Sequence, residues 1–499
     1  MNIVWFKRDL RIYDHEPLNN AIKSGPTLAL YILEHELWQQ PDMSRRHYRF
    51  LQDCLNDLEQ DLKTINLKLT IRVGDAIEVF KNLSSELNIR AIYSHQETWN
   101  MWTYDRDIRV SRYLRAQNIL WNEYQNNGIF RRLKSRDGWA SKWHQYMNSN
   151  QVPVPNSSLG ITALSERLPP VSQLKLDGSE SEDMQTGGRT NALKTMNSFF
   201  EGRGQKYSKE MSSPVSAYNS CSRISPYIAF GCVSIREIYQ DAQKFKTKVF
   251  ERSNQKDPWR MSIRSFLSRL RWHCHFIQKL EDQPNIENEN LHSAMNGIRE
   301  PEFNENFFNA WRVGRTGYPF VDACMRALDA TGWINFRMRA MLVSFASNHL
   351  WLHWQKPALH LANMFIDYEP GIHYPQIQMQ SGTTGINAIR IYNPIKQGLD
   401  QDPTGVFIRT WVPEISHLPI PALHTPWDSK KPPTSYPEPI VDEVTARKSA
   451  NQRLYALRNS EEFKAKASAI AKKHASRKPN SERARRSKKI NTKKQIELF

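Results

Sequence analysis

Long apolar runs are missing from this sequence. No stretch approaches the roughly 18–20 consecutive apolar residues of a membrane-spanning helix, and Met1–Asp9 lacks the basic-then-apolar layout of a signal peptide. Cysteine is scarce: Cys54, Cys221, Cys232, Cys274 and Cys324 are scattered, odd in number and contain no Cys-x-x-Cys pair. That argues against a disulfide framework or a zinc knot, so no metal is expected. A reduced, cytoplasmic protein away from any membrane is the expectation. No Gly-x-Gly-x-x-Gly follows the first apolar run, which removes the usual grip on a dinucleotide. Acidic residues are sparse near the C-terminus. Residues 444–499 hold 17 Lys/Arg and 4 Asp/Glu, so they carry most of the net charge of +18 and leave +5 for the rest. The run from Arg477 to Lys494 has almost no large apolar side chain and cannot bury enough surface to fold alone. It reads as a phosphate-binding arm or as a solvated tail; a charge run by itself has no geometry to choose between them.

A chain of 499 residues is too long for one core. The first 125 residues alternate short apolar or β-branched runs (Ile3–Phe6, Leu28–Leu33, Leu69–Val73, Ala91–Tyr93, Ile119–Tyr124) with helical patterns. Between residues 44 and 65, Tyr48, Leu51, Leu55, Leu58, Leu62 and Ile65 recur at spacings of three and four, one stripe on a helix. This alternation predicts an α/β N-terminal domain, residues 1–130, with a parallel doubly wound sheet. Pro, Ser, Gly and Asp crowd the next stretch, so 131–190 reads as an interdomain linker. Strand signals then nearly vanish. Helical patterns near 192–201, 225–244, 259–280, 304–311, 319–330 and 334–352 predict an all-α domain over 191–443, followed by a flexible basic tail, 444–499. The 15 Trp lie mostly in the helical half. Each one taken singly reads first as a core anchor; together they are suited to line a planar ligand or pass electrons between rings.

Several segments resemble the photolyase/cryptochrome family, and in this order they span nearly the whole chain. Val4-Trp5-Phe6-Lys7-Arg8-Asp9-Leu10-Arg11, then Asp14, is similar to its opening strand and turn. Ser222-Arg223-Ile224-Ser225-Pro226-Tyr227 and Gly231-Cys232-Val233-Ser234 resemble its flavin-phosphate segment. Gly314–Ala323, Thr331-Gly332-Trp333, Ile391-Tyr392-Asn393-Pro394, Gln397-Gly398 and Phe407–Glu414 complete the pattern. The resemblance implies a C-terminal helical domain that binds FAD. It implies a cofactor set of Tyr207, Cys221, Ser222, Ser225, His273, Trp333, Arg339, Asp367 and Glu369, with Arg339 and Asp367 as a buried pair against the flavin ring. Ser222 and Ser225 stand just before a predicted helix, where hydroxyls and free N–H groups suit a pyrophosphate; N-capping is the plainer use. An antenna chromophore, folate or deazaflavin, is implied for the N-terminal domain near His95–Asn100, the choice left open. The family's iron–sulfur subgroup is excluded, because no Cys follows Cys324.

The departures lie at the lesion side. Cys221 replaces a Thr, and His273 replaces an Arg after Trp272. The Glu expected three residues before Trp272 is Arg269, a charge reversal. Phe336 stands for an Asn, Ala340 for a Met, Met379 for a Trp, and His373 for the Asn or Asp nearest flavin N5. Arg337 and Trp272 are kept. Of the electron-relay Trp triad, Trp354 is kept and the flavin-proximal member is Ile377, so photoreduction would need another route, with Tyr374, Tyr392 and Trp311 as candidates. The expected catalytic set is Trp272, Trp354 and His373, and the expected DNA contacts are Arg269, Phe336, Arg337 and Met379. The reading that follows is a monomeric, blue-light, FAD-dependent repair enzyme for DNA photoproducts, single-stranded or damaged DNA being the partner. The alternatives are a cryptochrome photoreceptor and a flavin-bearing scaffold that binds nucleic acid without photochemistry.

Overall fold

The computed structural model describes residues 1–178, 180–252 and 254–475. The polycationic run that begins at Arg477 lies outside them. Five strands, β1 (Asn2–Phe6), β2 (Thr27–Leu33), β3 (Leu69–Val73), β4 (Ala91–His95) and β5 (Leu120–Tyr124), form one sheet in the order β3-β2-β1-β4-β5. All pairings are parallel, and β1 registers Val4 against Ala29 on one side and Tyr93 on the other. Both faces are covered, so β1 and β2 are buried at every position. Ile3, Trp5, Leu28 and Leu30 pack with Phe80 and Leu83 on one face; Val4, Phe6, Ala29 and Tyr31 pack with Leu51, Leu55 and Leu58 on the other. The free edge of β3 is closed by residues 165–166: Ser165 Oγ accepts from Ile71 N, and Glu166 N donates to the Ile71 carbonyl.

The stretch expected as linker is not bare. It contains the helix Trp139–Asn148, whose Trp139 and Trp143 are buried and whose Trp143 meets Tyr239 edge-on at 5.2 Å. Aromatic residues among Ser, Asn and Lys carry too little periodicity to predict it. The helix predicted over 225–244 breaks into Ser225–Ala229 and Ile235–Arg252. The break is forced at Gly231, which has φ 68°; a Cβ there would lie 2.3 Å from the Arg8 carbonyl oxygen. That contact joins the two halves. Leu10 N donates to the Phe230 carbonyl, Arg11 to the Gly231 carbonyl, and Arg236 pairs with the buried Asp14 carboxylate, which also accepts from Ser234 Oγ at 2.6 Å. A second joint comes from the helix Arg45–Lys63. Buried Arg46 donates to the carbonyls of Leu328 and Asp329, and His47 Nε2 donates to the Phe365 carbonyl at 2.8 Å. One hydrophobic cluster therefore runs from Val4 and Phe6 through Phe50 to Phe266 and Ile277.

The helical half is built around Pro258–Asp282, Pro319–Thr331, Phe336–Ser344, Gln355–Met364 and Pro370–Ser381. It does not end at residue 443. Helices Glu443–Arg458 and Glu461–His474 follow, seated by buried Leu454 and Phe463 against Met295. Few apolar residues in a basic background hid them. No helix among the described residues is long and apolar enough to cross a membrane.

Candidate functional site

The segment Phe365–His373 is the floor of the site. Asp367 accepts two bonds from Arg339, at 3.0 and 2.9 Å, and one from Ser225 Oγ at 2.7 Å. Arg339 is fixed further by the Ile334 carbonyl and by the Phe365 ring, 4.0 Å from its guanidinium carbon. Arg339 and Asp367 thus pair in the geometry that makes Arg–carboxylate contacts strong. Ser225 spends its hydroxyl on Asp367, and its helix has only five residues, so the expected helix-start grip on a phosphate is not formed there.

The loop before it offers a different anion site. Arg203 donates to the carbonyls of Asn219, Cys221 and Ser222 and so shapes the turn. Arg223, in the left-handed region at φ 59°, lies between Tyr218 and Trp333, 4.0 and 4.1 Å from their ring centres. It is buried, its Nε donates to Gln185 Oε1, and its Nη2 has no hydrogen-bond partner among the described residues. An orphaned buried guanidinium N–H beside Ser222 and Trp333 fits a pyrophosphate with an adjoining adenine. Arg223 belongs to the Ser222–Tyr227 motif, but its role needs the three-dimensional sandwich to be seen. Cys221 is half-buried, its thiol pushed up to about 12 by burial, and so it stays neutral.

Glu369 caps the Pro370–Ser381 helix by accepting from Gly371 N, and burial raises its carboxyl to about 8. At neutral pH it is an O–H donor. His373 Nε2 lies 2.9 Å from the Ala358 carbonyl, which can only accept; the ring is therefore a donor there, and burial lowers its pKa to about 4. His273 is likewise lowered to about 4 by burial and lines, with Glu369, a crevice between the two halves.

That crevice lies at the carboxyl ends of β1 and β4, where the strand order reverses. Lys7, Arg11, His95, Glu97 and Trp99 face it. Asp9 Oδ2 accepts from His15 Nε2 at 2.9 Å and from His95 Nδ1 at 2.7 Å. His15 Nδ1 already accepts from Leu18 N, so its Nε2 carries the hydrogen, and the three groups satisfy one another. Burial lowers His95 to about 3 and leaves it neutral.

On the outer side, a shallow cleft is lined by Phe336, Met379, Gln380, Asn387, Arg390 and Tyr392. Arg269 sits beside it, 5.8 Å from the Phe336 ring centre, with its Nη2 reaching the Met211 sulfur at 4.0 Å. Tyr207 is buried on Phe199 and next to Arg269, and burial pushes its phenol up to about 12. Arg337 has a buried Nε without a hydrogen-bond partner among the described residues. Trp272 stands apart from this lining, stacked at 5.8 Å on Phe276 of its own helix. Trp354 is fully buried, donates to Asn290 Oδ1 at 2.7 Å and lies 6.2 Å from the Tyr374 ring.

The family profile for DNA photolyase matches residues 2–138, and that for the FAD binding domain of DNA photolyase matches residues 266–456. Cryptochrome-2 of Arabidopsis thaliana is 30% identical over 89% of this chain and 77% of its own length. The chain belongs to the photolyase/cryptochrome family. Deoxyribodipyrimidine photo-lyase of Vibrio cholerae is 27% identical over 91% of this chain and 99% of its own. The crystal structure of Synechocystis cryptochrome superposes with a TM-score of 0.78 at 24% identity, covering 91% of this chain and 98% of that one, a likeness of fold. In this family member the helical half is an FAD-binding domain. Relatives of both kinds, repair enzymes and cryptochromes, match almost equally well.

Proposed function

We propose that this family member is a blue-light-driven, FAD-dependent photolyase-type enzyme, a carbon–carbon lyase that acts on UV pyrimidine photoproducts in single-stranded or already unpaired DNA. The observation that carries this reading is the outer cleft: an apolar wall of Phe336, Met379 and Tyr392 with Arg390 in its lining and Arg269 alongside. A flipped base needs such a stacking surface, and the guanidinium groups suit carbonyl and phosphate oxygens. Bound FAD supplies the electron that opens the lesion. The chain's own part is to hold and shield. Arg339 and Asp367, with Ser225 on the Asp367 carboxylate, would anchor the flavin ring, Arg223 with Ser222 and Cys221 would hold the phosphate side, Trp333 would cover the adenine, and Glu369 and His373 would place an O–H and a neutral imidazole nearby. Trp272 and Arg337 contact the strand. The interdomain crevice at His95 and Trp99 is the site for an antenna chromophore.

The same cleft disfavours cyclobutane dimers in duplex DNA, since Arg269 and Phe336 offer no acceptor where the resemblance expects an acid and an amide. That observation also favours a second reading, a cryptochrome-type photoreceptor without repair activity. The test is a repair assay under blue light on cyclobutane dimers and 6-4 products, each in single and double strands. Repair of a single-stranded substrate above the dark control is expected. No repair of any substrate by FAD-loaded protein that still photoreduces would overturn the enzyme reading in favour of the photoreceptor.

A further inference from the structure

Two tyrosines, Tyr368 within the floor and Tyr374 just after it, are not accounted for by the replaced Ile377. Tyr368 lies between Asp367 and Glu369 in sequence, is buried, and is walled by His47, stacked at 5.9 Å, and by Trp99, edge-on at 5.3 Å. Its hydroxyl is 2.7 Å from Asp42 Oδ2 and 3.4 Å from the Tyr374 hydroxyl. Asp42 comes from the α/β half, 326 residues away in sequence, and is itself buried; its carboxylate also accepts from Asn100 Nδ2. A phenol has one hydrogen. A carboxylate accepts it more strongly than a second phenol does, so Tyr368 donates to Asp42 and Tyr374 donates to Tyr368.

Oxidation of a tyrosine makes its O–H strongly acidic, and a tyrosine sealed from water can be oxidised only where a base receives that proton. We propose that Tyr368 and Asp42 form a proton-coupled electron donor to the photoexcited oxidised flavin, replacing the tryptophan route that Ile377 interrupts. The proposal rests on the FAD reading above. Tyr368 gives one electron to the flavin; its O–H bond breaks and the proton crosses to Asp42 Oδ2. The products are a neutral Tyr368 phenoxyl radical, a protonated Asp42 and a flavin reduced by one electron. Burial raises the affinity of Asp42 for a proton, which helps it act as the acceptor. Tyr374, 6.4 Å from Tyr368 and 6.2 Å from Trp354, continues the aromatic chain. Sequence reasoning reaches Tyr374 but not Tyr368 or Asp42, because only folding brings residue 42 to residue 368.

The experiment is flash-induced transient absorption on FAD-loaded protein, flavin content being measured first from its absorption. The wild type should show a neutral tyrosyl signal that forms more slowly in D2O. Tyr368→Phe and Asp42→Asn should lose that signal and slow photoreduction on the order of 10²-fold, the usual worth of a positioned base, with FAD content unchanged. Tyr368→Phe photoreducing at the wild-type rate with equal FAD would overturn the donor. Asp42→Asn with unaltered signal and kinetics would overturn the proton acceptor. If a variant fails to fold, equal wild-type rates in H2O and D2O overturn the proposal alone. A wild type that takes up no flavin removes the cofactor reading and this one with it.

Discussion

The floor of the site and its outer cleft are built on opposite electrostatic plans. On the floor, Arg339, Asp367 and Ser225 close three hydrogen bonds among themselves, and His47 and Arg46 brace the same region from the other half of the molecule. At the cleft, Arg269 meets a sulfur and an aromatic face, and Arg337, next to Phe336 in sequence, keeps a buried donor unsatisfied among the described residues. A paired site holds one occupant in one geometry. A site with spare donors waits for acceptors from outside, at the cost of leaving polar groups unsatisfied. The contrast separates a floor whose polar groups are already paired from a cleft whose donors stay open to an incoming acceptor.

The largest effect should follow from breaking the floor. Asp367→Asn leaves Arg339 without its counter-charge, and the loss of a buried ion-pair partner costs about 3 kcal/mol. On the order of 100-fold weaker FAD retention, read from flavin released on gel filtration, is expected; unchanged retention would place the flavin elsewhere. Next comes acid. His47 is neutral in the fold, burial holding its pKa at about 4 against a usual 6.5, with Arg8 and Arg46 also lowering it and Asp367 opposing them. The unfolded chain therefore takes up this proton first. Stability from His47 is complete above pH 6.5 and drains as pH falls towards 4, by up to about 3 kcal/mol. His47→Gln should lessen the slope of that part of a denaturation-versus-pH profile, to which buried His273 and His373 also contribute, while Arg269→Gln should leave it alone.

The cleft should respond in the other direction. Arg269→Glu with Phe336→Asn restores an acid and an amide, each bond worth about 1–3 kcal/mol. On the order of tenfold or greater gain in affinity for dimer-containing single strands is expected in a binding titration; no gain would mean that these positions do not face the lesion. The smallest effect concerns the basic end. Removal of the residues after Ala475 should keep fold and flavin. It should also lower the log–log salt slope of DNA binding by roughly 0.9 for each phosphate that the shortened chain no longer neutralises. Truncation at residue 443 is a different experiment, because it strips away buried Leu454 and Phe463.

The sheet was legible because its central strands β1, β2 and β4 are buried on both sides and read as short apolar runs, while the edge strands kept enough apolar character to be seen; all five predicted runs overlap observed strands. The helical half was legible as a class but not in its joints. Ser225–Lys244 carries helical periodicity throughout, and only the approach of the Arg8 carbonyl explains why Gly231 must interrupt it. At the site, motif order located Arg339, Asp367 and Trp333. It could not reveal that Ser225 is spent on Asp367, that Arg223 keeps an N–H without a partner among the described residues, or that Asp42 reaches Tyr368. Those facts depend on pairs 142 and 326 residues apart and on a sandwich of rings from separate helices.

The seam at Gly231, Asp14 and His47 has a consequence for anyone who would dissect this protein. A cut between the exposed residues Asn156 and Ser157 would sever one peptide bond and no part of the shared core, so the two pieces, made separately, should find each other and rebuild a single cooperative body. An exchange of the first 130 residues for those of a relative should fail unless the grafted piece also brings an aspartate for Arg236, a backbone turn that fits a glycine, and an imidazole for the Phe365 carbonyl. What reads in sequence as a separable α/β unit is bound into one body with the helical half.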